Sequence, residues 1–311
     1  MLNYYATAEN RIQSIEKIAE GCWINMVSPS EKEIDCVHHM LNVDLGFLKA
    51  ALDDEETSRI EIEDNNQILI IIDIPLAQKD QEALIFSTIP LGIIITEKNI
   101  ITVCLKENSI IREFADGIVK NVYTHMKTRF ILQLFFRVAV RYLQYLKQID
   151  KISSEVEKQL HQSMKNKELI QLLDLQKSLV YFSTSLKANE STMQKIVRNR
   201  TIKMYEEDQD LLEDVLIENK QAIEMSNIYT SILSGTMDAF ASVISNNLNI
   251  VMKFLTSITI VLSLPTMVAS FYGMNVKIPL QDSPFAFIFT IVLALVLTTM
   301  ATFMLIKRKM F

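Results

Sequence analysis

Two long runs of apolar, uncharged residues lie near the end of the chain. Residues 254–272 and residues 283–306 contain no Asp, Glu, Lys or Arg. Each run has about the 20 residues that an α-helix needs to cross roughly 30 Å of hydrocarbon at about 1.5 Å per residue. The interval between them, 273–282, is too short for a folded domain. The pattern therefore predicts a membrane hairpin with spans at about 250–272 and 284–306.

Basic residues flank the two predicted spans on one side. Lys253 precedes the first span, and Lys307, Arg308 and Lys309 follow the second, whereas the connecting loop holds one Lys and one Asp. Basic flanks favour the cytoplasmic side of a membrane. We therefore expect a multi-pass protein of the cell membrane, with both termini in the cytoplasm and these four residues as an inner basic ring. The N-terminal sequence lacks a basic segment followed by an apolar stretch, so no cleavable signal peptide is predicted.

Residues 1–125 alternate between strand-like and helix-like patterns. Residues 22–27 are typical of a strand, and the sequence from Ser30 to Glu33 resembles a capping box that opens a helix through Leu41. Segments 59–63 and 67–74 predict one hairpin, and segments 89–95 and 100–105 predict another. This pattern indicates a mixed α/β domain with a central strand that is covered on both faces.

From residue 126 onward the pattern is helical almost without interruption. No Gly or Pro occurs between Gly117 and Gly235, and we expect helices over 128–168, 170–200 and 203–272. A helix of roughly 70 residues would be about 105 Å long, far more than a membrane is thick. The predicted organisation is a cytoplasmic α/β domain at 1–125, a cytoplasmic helical stalk at 126–248 and a transmembrane pore domain at 249–311.

Small and polar residues recur at heptad spacing along the last predicted helix, which directs one seam toward a common axis. The seam comprises Ser231, Gly235, Asp238, Ser242, Ser245, Asn249, Met252, Thr256, Thr259, Ser263, Thr266, Ser270 and Gly273. Polar side chains are costly in lipid and face a bundle interior or a water-filled path, so Asp238 and Asn249 favour a pore. Two spans cannot enclose a pore, which therefore requires a cyclic homo-oligomer. Tight packing of small residues between helices is the alternative.

Composition excludes several function classes. The chain has 31 basic and 37 acidic residues, and its net charge of −6 argues against nucleic acid as a partner. Three cysteines that lie far apart in the sequence favour neither a disulfide framework nor a cysteine-based zinc site. The sequence has no Walker-type glycine-rich loop, His-Glu-x-x-His or Gly-x-Ser-x-Gly, so nothing supports an enzyme or a prosthetic group.

The tetrapeptide Tyr272-Gly-Met-Asn275 ends the first predicted span, before a short loop, a last span and a basic tail. In this position it resembles the CorA family of divalent-cation (magnesium and cobalt) transporters. Segments 249–256 and 234–238 resemble the inner mouth and stalk of that family, and segment 52–61 resembles its N-terminal domain. The resemblance implies an α+β membrane protein, a funnel-shaped homopentamer in which the first span of each chain lines an axial pore.

The resemblance also implies roles for individual residues. Gly273, Met274 and Asn275 would form a selectivity filter at the outer mouth, where Asn275 binds the water shell of an entering cation. The implied pore-lining residues are Asp238, Asn249, Met252, Leu255, Thr259, Ser263 and Thr266. Met252 and Leu255 would be the apolar constriction, and Asp238 a carboxylate ring.

Regulation is implied to depend on carboxylates that bind the transported ion between subunits. Asp214 lies in an acidic run, 206–218, and matches the sensing position of the stalk. Lys49 and Ala50 stand where some relatives have Glu-Asp, so Asp53 or Asp54 would be its partner. A run of like charges is also typical of a merely solvated helix face.

The expected function is Mg²⁺ uptake driven by the membrane potential and gated by intracellular divalent ions. Two alternatives stay open. One is a zinc, cobalt or nickel transporter on the same scaffold. The other is a membrane-anchored interaction protein that conducts nothing.

Overall fold

The computed structural model describes residues 1–9, 11–63, 65–80, 83–163, 166–199, 202–276 and 284–308. Lys309 and the predicted loop residues 277–282 therefore lie outside the described residues. The chain divides into a first unit, Met1–Gly235, and a second unit, Thr236–Phe311. The strands are β1 Leu2–Ala8, β2 Arg11–Ile15, β3 Trp23–Val27, β4 Arg59–Ile62, β5 Ile68–Asp80, β6 Ala83–Ile95 and β7 Ile100–Cys104. The helices are α1 Glu31–Leu41, α2 Leu45–Ala50, α3 Ser109–Ala115, α4 Lys127–Ser163, α5 Asn166–Asn199, α6 Gln209–Tyr272 and α7 Ala286–Lys307.

The first unit contains a seven-stranded sheet in the order β2-β1-β3-β7-β6-β5-β4. The pairing of β3 with β7 is parallel, and the other described pairs are antiparallel. Both predicted hairpins, β4–β5 and β6–β7, are confirmed. Strands β1 and β2 and the antiparallel pairing of β5 with β6 were not predicted. Strand β5 runs past the predicted end at residue 74, and β6 begins before the predicted start at residue 89.

The centre of the sheet is covered on both faces, as its apolar sequence predicts. Every residue of β7 is buried. On one face, Cys22, Ile24 and Met26 belong to a core with Val37 and Leu48, from α1 and α2. On the other face, the Trp23 ring lies 6.4 Å from Phe114 of α3 and 5.3 Å from Phe130 of α4.

The predicted capping box opens α1. The Glu33 amide donates to Ser30 Oγ at 3.4 Å, and the Ser30 amide donates to Glu33 Oε2 at 2.8 Å. These bonds satisfy backbone donors that the first turn of a helix leaves without partners. The helix therefore begins where the sequence predicts, at Glu31.

The prediction of a helix that begins at residue 203 is wrong. Tyr205 is extended, a 3₁₀ turn covers Glu206–Asp208, and α6 begins at Gln209 and has 64 residues. The Asp208 side chain is 6% exposed, and its Oδ1 lies 3.5 Å from Nη1 of Arg129 on α4. This buried acid gives the chain ahead of α6 a tertiary partner, which sequence periodicity does not reveal.

Helices α5 and α6 run antiparallel in the first unit. Ser226 Oγ donates to the Leu179 carbonyl at 3.2 Å, and Asn219 Nδ2 donates to the Leu186 carbonyl at 3.4 Å. Ser226 and Asn219 are buried. Polar residues on this face of α6 therefore bond to the backbone of α5 rather than to solvent.

Two described helices are long and apolar enough to cross a membrane, the one that ends at Tyr272 and Ala286–Lys307. The first contains the predicted span 250–272 at its end, and the second matches the predicted span 284–306 to within two residues. The helix Ala286–Lys307 has no fully buried residue.

Candidate functional site

The second unit contains a two-faced segment of α6. Ser257 is fully buried and Val268 is 7% exposed. Val261, Leu264 and Pro265 are half-buried on the same side of the helix. Because an α-helix has about 3.6 residues per turn, these positions lie roughly opposite the predicted polar seam.

The seam itself is exposed in the single chain. Its exposed members within the second unit include Asp238, Ser242, Asn249, Met252, Thr256, Thr259, Ser263, Thr266, Ser270 and Gly273. Leu255, assigned to the pore with them, is exposed as well. All seven predicted pore-lining residues are thus exposed in the single chain, and from Thr259 to Thr266 they lie opposite the buried side of the helix.

The opposite side of α6 is the one that faces α7. The least exposed positions of α7 recur every three or four residues and include Ala286, Thr290, Ala294, Thr298 and Ala301. At the end of α6, the rings of Tyr272 and Phe289 are 6.5 Å apart. Small residues at this spacing let helices approach closely in a membrane.

The hydroxyl groups of the seam are bonded within their own helix. Thr259 Oγ1 donates to the Leu255 carbonyl at 2.8 Å, and Thr266 Oγ1 donates to the Leu262 carbonyl at 3.2 Å. Ser263 Oγ donates to the Ile260 carbonyl at 2.8 Å. Each proton is used on the backbone, so each oxygen has lone pairs left for outside donors. The seam therefore offers acceptors to water or to a cation.

An apolar pair interrupts the seam next to Lys253. Met252 is 54% exposed and Leu255 is 53% exposed, and they lie between Asn249 and Thr256 in the sequence. Met252 and Leu255 differ by three residues, so they share a face of the helix. Along the helix, the Asn249 amide is followed by these two apolar side chains and then by the hydroxyl groups that begin at Thr256.

The first span ends in a tight turn at the tetrapeptide. The Gly273 amide donates to the carbonyls of Ala269 and Ser270 at 2.9 and 3.3 Å, and the Met274 amide donates to Phe271 at 3.3 Å. A Cβ atom on Gly273 would lie 3.3 Å from the Ala269 oxygen, closer than side chains usually approach. Met274 and Asn275 are exposed immediately after this turn.

The described basic residues of the predicted inner ring are all exposed. Lys253 lies on α6, Lys307 is the last residue of α7, and Arg308 caps α7 with its amide 3.1 Å from the Met304 carbonyl. Cations are favourable at a helix C-terminus because the carbonyl ends carry partial negative charge.

The predicted regulatory carboxylates lie on two elements of the first unit. Asp53 and Asp54 are exposed and line an open groove of about 430 Å³ with Glu31, Lys49 and Leu52. Asp214 is exposed on α6 and is not among the residues that line this groove. In the part of the chain that the structure describes, no three Asp, Glu, His or Cys side chains are placed to hold a metal ion.

The groove contains an ion pair that sequence reasoning missed. Lys49 Nζ lies 3.2 Å from Glu31 Oε2. The two residues are 18 positions apart, so no local pattern links them. The ammonium places a positive charge among the carboxylates of Glu31, Asp53 and Asp54.

Comparisons with known proteins agree on one family. The family model described as CorA-like Mg²⁺ transporter protein matches residues 19–308. A curated relative, the cobalt/magnesium transport protein CorA of Methanocaldococcus jannaschii, is 27% identical over 297 residues, covering 92% of this chain and 90% of that protein.

Two solved structures share the fold. The complete CorA magnesium transporter of Methanocaldococcus jannaschii superposes with a TM-score of 0.84 at 24% identity, covering 98% of this chain and 96% of that one. The soluble domain of the same protein gives a TM-score of 0.68 at 22% identity, covering 76% of this chain and 95% of that one.

Proposed function

The chain belongs to the CorA-like family of Mg²⁺ transporters, and on that premise we propose that it takes up Mg²⁺ through an axial pore formed by five copies. The first span of each copy lines this pore, and the second packs outside it. The transported ion is the substrate, and no prosthetic group takes part.

The observation that carries this proposal is the exposed polar seam of α6, which lies opposite the face of the helix that is buried with α7. Hydroxyl groups at lipid depth need polar partners or water. In one chain the hydroxyl protons are satisfied by the backbone, but the oxygen lone pairs and the side chains of Asn249 and Asp238 face outward. A ring of copies around an axis gives this face a water-filled path.

At the outer mouth, Asn275 selects the ion while it is still hydrated. Mg²⁺ prefers six oxygen ligands in near-octahedral geometry and loses its waters reluctantly. A ring of neutral amide oxygens accepts hydrogen bonds from that water shell without the strong binding that a carboxylate ring would cause. Gly273, held close to the Ala269 and Ser270 carbonyls, and Met274 set the position of this ring.

Deeper in the pore, Met252 and Leu255 form the apolar constriction and Asp238 a carboxylate ring. An apolar ring stops conduction by dewetting when it is narrow. Inward flow needs no nucleotide, because a divalent ion gains about 4.6 kcal/mol per 100 mV of inside-negative potential, twice the value for one charge. Lys253, Lys307, Arg308 and Lys309 lie on the cytoplasmic side, and both termini are cytoplasmic.

Intracellular divalent ions close the pore by binding between neighbouring copies. Asp214 of one copy and Asp53 or Asp54 of the next supply the carboxylates, as the resemblance to the family implies. The Lys49 ammonium beside Glu31 opposes a second positive ion in the same groove. We therefore expect weaker inhibition by cytoplasmic Mg²⁺ than an all-carboxylate groove would give.

The test is flux through the purified full-length protein in liposomes that contain an ion-sensitive dye. Mg²⁺, Co²⁺, Ni²⁺ and Zn²⁺ are compared side by side under an inside-negative potential, with and without a pH gradient. Co²⁺ is included because the name of the curated relative pairs it with magnesium. Potential-driven Mg²⁺ entry supports the proposal.

Flux of Zn²⁺, Co²⁺ or Ni²⁺ without flux of Mg²⁺ supports the alternative, a transporter of another divalent metal. No flux of any ion supports a membrane-anchored protein that does not conduct. A mass of one or two chains in detergent contradicts the pentamer.

A further inference from the structure

A cavity of about 590 Å³ opens in the first unit between the sheet and α3. Its lining includes Asn3 and Tyr5 of β1, Asn25 of β3, and Asn108, Ile111, Arg112, Ala115 and Asp116 at α3. A volume of this size lies within the range of small-molecule sites, about 300–1,000 Å³. The cavity contains none of the residues assigned to the ion path or to its regulation.

A row of polar side chains crosses the sheet at the floor of the cavity. Asn3 pairs with Asn25 across β1 and β3, and Asn25 pairs with Thr102 across β3 and β7. Asn25 is 4% exposed and Thr102 is fully buried. Asn25 is also the single polar residue of the strand Trp23–Val27, whose other members are apolar. A buried amide in such a strand needs hydrogen-bond partners.

The orientation of the Asn25 amide follows from its neighbours. Trp23 Nε1 donates to Thr102 Oγ1 at 2.8 Å, and Thr102 Oγ1 lies 3.0 Å from Asn25 Oδ1. An indole N–H can only donate, so the Thr102 hydroxyl accepts from Trp23 and gives its own proton to Asn25 Oδ1. Asn25 Nδ2 is therefore the end left for the cavity, and it has no acceptor among the described residues.

A second buried amide has the same arrangement. Asn108 is 4% exposed, and its Oδ1 accepts from the Ile111 amide at 2.8 Å. The contact described for Asn108 Nδ2 is the Cys104 thiol sulfur at 3.6 Å. Sulfur is a weak acceptor. Two lining residues thus have amide N–H₂ groups that can donate to a stronger acceptor.

The walls and the rim restrict what can bind. The Tyr5 ring, half-buried, stacks on Trp23 at 4.8 Å between centroids, and Ile111 adds an apolar surface. At the rim, Arg112 is already paired with Glu107 at 2.6 and 3.0 Å, while Asp116 is exposed. Burial, and then the Asp116 charge, raise the pKa of Tyr5, so its hydroxyl stays a neutral donor. The carboxylates of Glu107 and Asp116 are offset by the Arg112 guanidinium and by the Met1 ammonium, which donates to the Val27 carbonyl at 2.8 Å, so the lining favours a neutral ligand.

We propose that this cavity binds the purine base of a nucleoside. A purine is flat and neutral, has ring-nitrogen or carbonyl acceptors for the Asn25 and Asn108 amides, and can stack against Tyr5. Its exocyclic amine or ring N–H can donate to the Asp116 carboxylate. Amide side chains are well suited to the hydrogen-bonding edge of a purine.

Binding in the cavity can be followed by the fluorescence of Trp23. Trp23 is the only tryptophan and stacks on Tyr5, so its fluorescence responds to an occupied cavity. Adenosine, guanosine, cytidine and inorganic phosphate are titrated into the purified full chain. A saturable change with adenosine or guanosine, and none with phosphate, is expected. An equal response to phosphate or cytidine, or no saturable response to either purine nucleoside, overturns the proposal.

Two variants test the Asn25 donor and the volume of the cavity separately. Asn25→Asp keeps the acceptor for Thr102 but removes the Nδ2 donor, and should weaken purine binding about tenfold. Ala115→Leu fills part of the cavity from its half-buried wall without touching the amides, and should also weaken binding. Asn121→Asp, an exposed site outside the lining, is the matched control and should bind normally. If Asn25→Asp fails to fold, Ala115→Leu decides, and unchanged binding in that variant contradicts the proposal.

Discussion

The ring of Tyr272 lies 6.5 Å from the ring of Phe289, at a mutual angle of 59°. Tyr272 is the last residue of α6 and Phe289 lies in the first turn of α7. The two rings therefore join the helices next to Gly273, where the tetrapeptide begins. The second helix thus supports the end of the first, although it contributes nothing to the polar seam.

We predict that Phe289→Ala lowers Mg²⁺ flux several-fold while assembly is retained. An aromatic pair contributes about 0.5–1.5 kcal/mol beyond its buried area, so its loss loosens the end of α6 without unfolding the protein. Phe287→Ala is the matched control, because Phe287 is 76% exposed on the same helix. Equal flux in both variants would show that the contact does not position the mouth.

We predict that Asn275→Ala abolishes Mg²⁺ uptake in proteoliposomes. The change removes the amide oxygen that we propose binds the hydrated ion, but it leaves the turn at Gly273 unchanged. Val276→Ala, at the next exposed position, controls for local disturbance and should conduct normally. Oligomeric mass is measured on both proteins. Unchanged flux through Asn275→Ala would contradict the selectivity argument.

Replacing Thr259, Ser263 and Thr266 together with Leu should stop conduction. The three leucines remove the oxygen acceptors and add apolar volume to the face that we assign to the pore. Thr299→Leu is the matched control. It removes an exposed hydroxyl of α7, which donates to the Leu295 carbonyl at 2.7 Å. Flux should survive there because this side chain lies outside the face that we assign to the pore. A triple variant that conducts like wild type means that the seam does not line the path.

The two long apolar helices could be predicted from sequence because apolar length and the absence of charge are local properties. The α1 cap and both hairpins were also predicted correctly, since Ser30 and Glu33 lie three residues apart and the strand pairs are neighbours in sequence. The start of α6 was not, because it depends on Asp208 and Arg129, which are 79 residues apart.

Separation along the sequence also limits how much of the candidate sites could be predicted. The seam positions follow from helical spacing, and the structure adds that α7 faces the other side of α6. The Lys49–Glu31 pair and the row Asn3–Asn25–Thr102 depend on tertiary pairing. A single polar residue within the buried strand Trp23–Val27 was the one local signal of that row.

Asp214→Asn should relieve inhibition by Mg²⁺ inside the liposome. The variant keeps the shape of the side chain but removes the charge that we assign to the regulatory ion. Glu213→Gln, the exposed neighbour on α6, is the control and should be inhibited like wild type. Flux is measured against internal Mg²⁺ concentration. If both variants shift the inhibition curve equally, the acidic run acts as a general field rather than through one site.

The environment of Asp73 leads to a prediction about how the stability of the fold depends on pH. Burial raises the pKa of its carboxyl, while hydrogen bonds from Ser185 and Ser58 lower it in part. The backbone around it is also held, because Asn189 Nδ2 donates to the Asp73 carbonyl at 2.7 Å and Tyr142 Oη donates to it at 3.0 Å. The backbone at Asp73 is therefore held between β5 and two helices, and no cation is paired with its carboxylate among the described residues.

A pKa that is higher in the folded state than in the unfolded chain means that folding favours the protonated acid. The contribution of Asp73 to the free energy of unfolding is then greatest below the unfolded pKa, about 3.9, and falls as the pH rises through the folded pKa. Asp73→Asn keeps the size of the side chain but cannot ionise, so the variant does not lose stability at this position as the pH rises. We predict that its thermal midpoint exceeds that of wild type at neutral pH and that the difference disappears at acidic pH. Asp35→Asn, at an exposed position of α1, should show no such crossover. A variant that is destabilised at neutral pH would mean that the Asp73 charge supports the fold.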